Sequence, residues 1–212
     1  MRVAVFGASG NIGRLVVDRL LAGDHEIAAL VRTPRKLTLQ DSRLTVRRGE
    51  LSDADSVHDV VAGSDAVISA LGPALKRGVR GTPVADGTRA IVAAMQEAGV
   101  SRFVGLATPS VPDPRDRPTV KARLLPLMAR VMFPAALVEL KGMTAAVTGS
   151  SLDWTIARIT APTDKPAKGT VRVGYLGRDP VGWRMTRADI AAFLVDQLAD
   201  SRFLRALPAI SN

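Results

Sequence analysis

The chain has 212 residues and a mass of 22.4 kDa, with 47% hydrophobic residues, no cysteine and two histidines. That is enough apolar material for one domain with a real core, and it excludes disulfides, cysteine-held zinc, a thiol nucleophile and a histidine-rich metal centre, so no metal site is expected. The formal net charge of +9 admits nucleic acid or small anions as partners, but the arginines are scattered and only 4% of residues are aromatic, which favours a small anion over nucleic acid.

The first strand is expected over residues 3–6, four consecutive apolar residues beginning so early that no leader precedes them. A cytoplasmic location follows as an expectation. Three glycines, Gly7, Gly10 and Gly13, come next, and Asn11–Ala22 carries Ile12, Leu15, Val16 and Leu20 on one helical face. "HEIAALVR" reads as a second strand ending near Val31, which Pro34 closes off. A third strand is expected around residues 44–47. "SDADSVHDVVAG" then has an N-cap, three valines on one face and a stop at Gly63, with His58 on its solvent side.

"DAVISALG" (65–72) is the fourth expected strand, "PVADGTRAIVAAMQEAG" a helix ending at Gly99, and "SRFVGLAT" the fifth strand. Four prolines make residues 109–118 a loop. A helical region running to Gly149, the strand "LDWTIARI", an extended piece "GTVRVGYLG" and a last helix "TRADIAAFLVDQLAD" complete the order. The apolar stretch 122–140 contains Arg123, Arg130, Glu139, Pro126 and Pro134, so it does not read as a membrane span. Apolar strands alternating with helices imply a parallel sheet covered on both faces. The expected fold is α/β, a doubly wound parallel sheet of the Rossmann type in a single domain over 1–212, with a small substrate-facing C-terminal portion.

The glycines then acquire a physical reading. Gly7 makes a tight strand-to-helix turn, Gly10 lets a pyrophosphate approach the backbone, and Gly13 permits close helix–strand packing. The amides of Ser9, Asn11 and Ile12 at the helix start form the anion site, helped by the helix dipole. Because the triplet follows the first strand and opens a helix, nucleotide binding is a better reading than a bare turn. An NAD enzyme usually ends its second strand with an acid for the ribose 2′-hydroxyl. Here "LVRTPRK" supplies Arg32, followed by Arg35 and Lys36, and a guanidinium suits the 2′-phosphate of NADP(H).

The segments "GASGNIG", "LVRTPRKL", "GELSDADSV", "DAVISALG", "GTRAIVAAMQEAGVSRFVGLAT" and "LDWTIARI" together resemble the atypical short-chain dehydrogenase/reductases. Within them the chain resembles the NAD(P)H-binding group that contains biliverdin reductase B/flavin reductase and the NmrA-like proteins. The resemblance is clearest over 1–108 and 152–199. It implies that Gly7, Ala8, Ser9, Gly10, Asn11, Ile12 and Gly13 hold the pyrophosphate, with Arg32 and Lys36 on the 2′-phosphate. It further implies Glu50 and Leu51 beside the adenine, where relatives often have Asp. Ala70, Leu71 and Gly72 would line the ribose and nicotinamide side, with Thr108 and Ile159 near that ring.

The pattern departs from the superfamily at one place. Its Tyr-x-x-x-Lys pair has no counterpart: four residues before Lys141 stands Leu137, and the sole tyrosine, Tyr175, has no lysine four residues on. Proton donation by a phenol is thus unexpected, and acceptors that delocalise an incoming hydride fit better: flavins, quinones, azo compounds and extended tetrapyrroles. Thr108 and Ser110 are the candidate catalytic hydroxyls, to be weighed against hydroxyls that merely satisfy backbone at a strand end. Residues 109–140 read as a substrate-facing flap whose apolar wall and cations, Lys121, Arg123 and Arg130, suit a planar anionic small molecule. An amphipathic helix packed on the core or on a partner reads equally well there. Met128, Met132 and Met143 read as gap-fillers in a core. Two functions stay open: an NADP(H)-dependent reductase, and an NmrA-like NADP(H) sensor that does no chemistry.

Overall fold

The first, second and fourth strands of the main sheet end where their apolar runs end, and a glycine turn joins the first of them to its helix. A computed structural model describes residues 1–74, 81–117, 119, 127–128 and 130–212. In chain order the elements are β1 (Arg2–Phe6), α1 (Asn11–Ala22), β2 (Glu26–Val31), a 3-10 turn (Pro34–Lys36), β3 (Leu44–Arg48), α2 (Ala54–Val61) and β4 (Ala66–Ser69). They continue with α3 (Pro83–Glu97), β5 (Arg102–Ala107), α4 (Pro134–Thr148) and β6 (Asp153–Ile159). The C-terminal part holds β7 (Ala161–Thr163), β8 (Arg172–Gly174), β9 (Arg184–Thr186), α5 (Arg187–Asp196) and β10 (Ala209–Ser211).

Eight strands form one sheet in the order β3-β2-β1-β4-β5-β6-β10-β8, parallel throughout except where β8 runs against β10. The expected doubly wound sheet is therefore present. Alternate residues of each strand enter two separate cores. Ala4, Phe6, Ala28, Leu30, Val67 and Phe103 pack with α2, α3 and α4 on one face. Val3, Val5, Ile27, Ala29, Ile68 and Val104 pack with α1 and α5 on the other. Burial on both faces is what makes these strands uniformly apolar, since neither set of side chains meets water.

Two expectations are corrected. The fourth strand stops at Ser69, leaving 70–72 free of the ladder at the sheet's end. Met128 and Met132 are more than half exposed, whereas Met143 is buried as a gap-filler should be. Of the stretch 109–140, the part from Pro134 is α4, with Ala136, Leu137, Glu139 and Leu140 buried, the form of the packed helix weighed against a flap. The flap cations Lys121 and Arg123 lie outside the described residues. His58 is exposed on α2, as expected.

Glu139 explains why that part of α4 is core. Its carboxylate accepts hydrogen bonds from the N–H groups of Val84 (3.1 Å) and Ala85 (2.7 Å). Helix α3 has no cap of its own on those amides, because Thr82 makes none, so an acid from the next helix supplies it. Nearby, a side chain on Gly142 would come within 2.7 Å of the Ala85 methyl, which fixes how closely α4 lies on α3. Glu139→Leu should therefore lower stability by about 2–4 kcal/mol through two orphaned amides. That is roughly 5–15 °C in Tm by thermal unfolding, with Glu139→Gln falling between the two.

Candidate dinucleotide site

Parallel pairing brings the predicted residues to one edge of the sheet. Phe6 is in register with Leu30 on β2 and with Ser69 on β4. Ser69 pairs with Gly105, and Gly105 with Ile156. Gly7 and Ala70 thus leave the sheet side by side, and Thr108 stands level with Ile159, the last residue of β6, two residues further on. Arg32 follows β2, and Glu50 follows β3 beyond the pair Val31–Arg48. Ligands of open α/β sheets sit at this carboxyl edge.

The glycine turn is tight for a measurable reason. Gly7 has φ of +81°, a left-handed conformation, and a Cβ there would lie 2.9 Å from the carbonyl carbon of Ala70. The turn and the stretch 70–72 are therefore pressed together, and the Ala70 amide donates to the Phe6 carbonyl at 2.9 Å. Gly13 is needed within the turn itself rather than for packing on a strand: its Cβ would fall 2.0 Å from the Gly7 carbonyl oxygen. Gly10 differs, since its Cβ would meet only that oxygen, at 3.2 Å, and otherwise nothing within 4 Å. Gly10 is the N-cap of α1 and no side chain caps the helix. The cradle over Gly10 and the uncapped amides beyond it suit a diphosphate. Ala8 is fully buried behind the turn, so only its backbone can take part, while Asn11 is exposed and Ser9 and Ile12 are half-buried.

Arg32, Arg35 and Lys36 are all exposed. None joins an ion pair among the described residues, whereas other arginines of the chain do, such as Arg43 with Asp24 and Asp41. A cluster of cations kept clear of acids is the chemistry a phosphate monoester requires. Leu51 is half-buried and its side chain occupies the space a Cβ on Gly87 of α3 would fill, at 2.5 Å; Glu50 is exposed. Ile159 is half-buried, and beside it the hydroxyl of Thr160 is buried with no partner in the described residues. Thr160 was not expected as a site residue. Its type is common at strand ends, and only its burial beside the nicotinamide side marks it.

At the acceptor side, the Thr108 and Ser110 hydroxyls lie 2.6 Å apart, Thr108 exposed and Ser110 buried. The Val111 amide donates to the Thr108 carbonyl, folding 108–111 into a turn. Behind this turn Asp116 forms a fork with the buried guanidinium of Arg158. Burial pushes the Asp113 and Asp116 carboxyls up, but the guanidiniums of Arg115 and Arg158, with nearby amides, outweigh it and hold both below the ordinary carboxylate value of 3.8. A carboxyl whose folded value is depressed stabilises the fold above its unfolded value. That contribution fades only as pH falls below about 4.

Tyr175 follows β8, the edge strand of the sheet, with the Arg115 guanidinium 4.6 Å from its ring centre. Burial raises its phenol above the ordinary 10.0 although Arg115 pulls the other way, and Asp179, not a lysine, stands four residues on. Leu137 is buried in α4 and Lys141 is exposed. A hollow of about 370 Å³ between β8 and α5 is lined by Val171, Phe193 and Phe203, and none of the expected site residues borders it. No cluster of three or more metal-ligating side chains occurs among the described residues. No helix there is long and apolar enough to cross a membrane.

Comparison with known proteins agrees with this geometry. A family model described as NAD(P)H-binding matches residues 7–201. The chain is similar to the UPF0659 protein YMR090W of Saccharomyces cerevisiae, 27% identical over 209 residues, 93% of this chain and 87% of that one. It is also similar to the isoflavone reductase homolog IRL of Zea mays, 37% identical over 112 residues, which is 48% of this chain and only 33% of the maize protein. Among solved structures, a wide-type short-chain dehydrogenase/reductase from Veillonella parvula in complex with NADP superposes with a TM-score of 0.80 at 18% identity, over 100% of this chain and 94% of that one. ChuY, an anaerobilin reductase from Escherichia coli O157:H7, gives 0.76 at 20% identity, over 100% and 97%. These superpositions establish the fold. With the family match running from the first glycine of the turn to beyond α5, the chain belongs to the NAD(P)H-binding family.

Proposed function

We propose that the protein is an NADP(H)-dependent oxidoreductase of the atypical short-chain type that reduces a conjugated acceptor, such as a flavin or quinone, without a tyrosine acid. The observation carrying this reading is the unpaired run Arg32, Arg35 and Lys36 at the same sheet edge as the glycine turn. The cofactor, when bound, supplies hydride to the acceptor, which gains a proton from water. The chain's own residues bind and orient. Amides from Ser9 to Ile12 hold the diphosphate, and Arg32 with Lys36 holds the 2′-phosphate. Glu50 and Leu51 border the adenine, while Ala70, Leu71 and Gly72 flank the ribose. Ile159 backs the nicotinamide, with the Thr160 hydroxyl available to its amide. Thr108 and Ser110 orient the acceptor through their hydroxyls.

The lack of a tyrosine–lysine pair equally favours a second reading, an NADP(H) sensor with the same dinucleotide site and no turnover. One experiment separates them. Purified protein is mixed with NADPH and a panel of flavins, quinones and azo dyes while the nicotinamide absorbance is followed. Protein-dependent oxidation is the expected result. Tight binding of NADPH with no oxidation across the panel would establish the sensor instead.

A further inference from the structure

One side chain in the heart of the sheet is chemically out of place. Arg158 lies on β6 among Ile156, Ala157 and Trp154 and has no exposed surface. Each nitrogen of its guanidinium nonetheless has a partner. Nε donates to the Leu207 carbonyl (2.6 Å), and Nη1 donates to the Val111 carbonyl (3.3 Å) and to Asp116 Oδ2 (2.5 Å). Nη2 donates to Asp116 Oδ1 (2.7 Å).

The same carboxylate also accepts the amides of Asp113 (2.9 Å) and Leu176 (2.8 Å), and the Arg117 amide returns a bond to the Leu176 carbonyl (2.8 Å). Asp113 accepts the Leu207 amide and the Arg115 side chain. The loop after β5 is thus laced to three places at once: β6, the approach to β10 and the exit of β8. A buried ion pair adds little net stability compared with apolar packing of the same volume. What a planar, bidentate fork adds is a fixed geometry.

The thing fixed is adjacent to the acceptor-side hydroxyls. Arg158 is the register partner of Ala107, the residue before Thr108, and it holds the carbonyl of Val111, the residue after Ser110. The glycine turn, by contrast, follows β1, three strands away and so about 14 Å across the sheet. We propose that the Arg158–Asp116 fork is a clasp that sets the position of Thr108 and Ser110 toward the acceptor and leaves the diphosphate and 2′-phosphate contacts, which dominate dinucleotide affinity, to the other half of the edge. This rests on the reductase reading above. Arg158 and Asp116 are positioning residues, since they act through the loop and not on the reacting atoms.

The test compares Asp116→Asn with wild type in the full chain, using the best acceptor and NADPH. The substitution keeps the size but turns one oxygen facing the guanidinium into a donor. Amide hydrogen exchange over 109–117 should speed up at least about tenfold, with β1 and β4 unchanged. NADPH affinity by calorimetry should stay within about twofold, while kcat/KM for the acceptor falls about 10- to 100-fold. Unchanged exchange in that loop, or a loosened loop with unchanged acceptor kinetics, overturns the clasp. A parallel loss of NADPH affinity also overturns it, because the pair would then be a general stability contact. A wild-type protein that binds NADPH but fails to oxidise it with any acceptor of the panel sinks the reductase reading and the clasp's role together, whereas an active wild type with an unaffected variant sinks the clasp alone. Should Asp116→Asn fail to fold, Arg115→Met is measured in its place. Its half-exposed guanidinium anchors the same loop through Asp113, and the same signs at smaller size support the clasp while no change overturns it.

Discussion

Gly13→Ala is expected to abolish dinucleotide binding and to destabilise the fold, whereas Gly10→Ala is expected to weaken binding alone. The added methyl at position 13 would sit 2.0 Å from the Gly7 carbonyl oxygen and 2.9 Å from the Ala8 Cα. Both are backbone atoms, so no side-chain rotation relieves the clash and the turn must open. Overpacking in a rigid place costs about 3 kcal/mol or more. For a chain of this length that is a fall of roughly 6–12 °C in Tm.

At position 10 the single neighbour lies at 3.2 Å, a gap that a small shift absorbs. The methyl would instead fill the cradle the diphosphate needs, and affinity should fall about a hundredfold with Tm nearly unchanged. Gly72→Ala is the control, since nothing lies within 4 Å of its added Cβ. Thermal unfolding and calorimetry with NADPH check all three. A Gly10→Ala protein that binds as tightly as wild type would remove the diphosphate from that cradle.

Arg32→Asp is expected to invert the cofactor preference. A charge-assisted bond from guanidinium to phosphate is worth about 1.5–3 kcal/mol, so its loss alone weakens NADPH roughly 10- to 100-fold. The new carboxylate also repels the 2′-phosphate and accepts the ribose 2′-hydroxyl of NADH, so the ratio of the two affinities should move by about a hundredfold or more. The effect should be smaller in high salt, because Arg32 is exposed. Calorimetric titration with both dinucleotides measures it. An unchanged ratio refutes the assignment of Arg32 and shifts the phosphate to Arg35 or Lys36.

Most of the architecture was legible because it depends on local chemistry. Four apolar residues followed by glycines at 7, 10 and 13 force a strand, a turn and a helix whatever follows, and the same alternation repeats down the chain to α5. Strands buried on both faces announce themselves by unbroken apolarity, as 66–69 does. The glycine triplet carried the NAD(P)H-binding family as well, and the family match over residues 7–201 supports that. The short strands β7, β9 and β10 were not legible: three residues hold no periodicity, and their pairing partners lie far along the chain.

The sequence by itself determined the order of elements, the glycine turn and the basic run after β2, because each rests on neighbours within a few residues. Only the tertiary structure showed that 134–140 is helix with a buried face. The buried Glu139 finds its use on amides 54 and 55 residues away, which no local pattern encodes. The same holds for Arg158, an arginine like the chain's many others until folding removes it from water and hands it Asp116, 42 residues distant. Desolvation is a property of the assembled molecule, and it decides which charges must be paired and therefore which ones hold the structure in place.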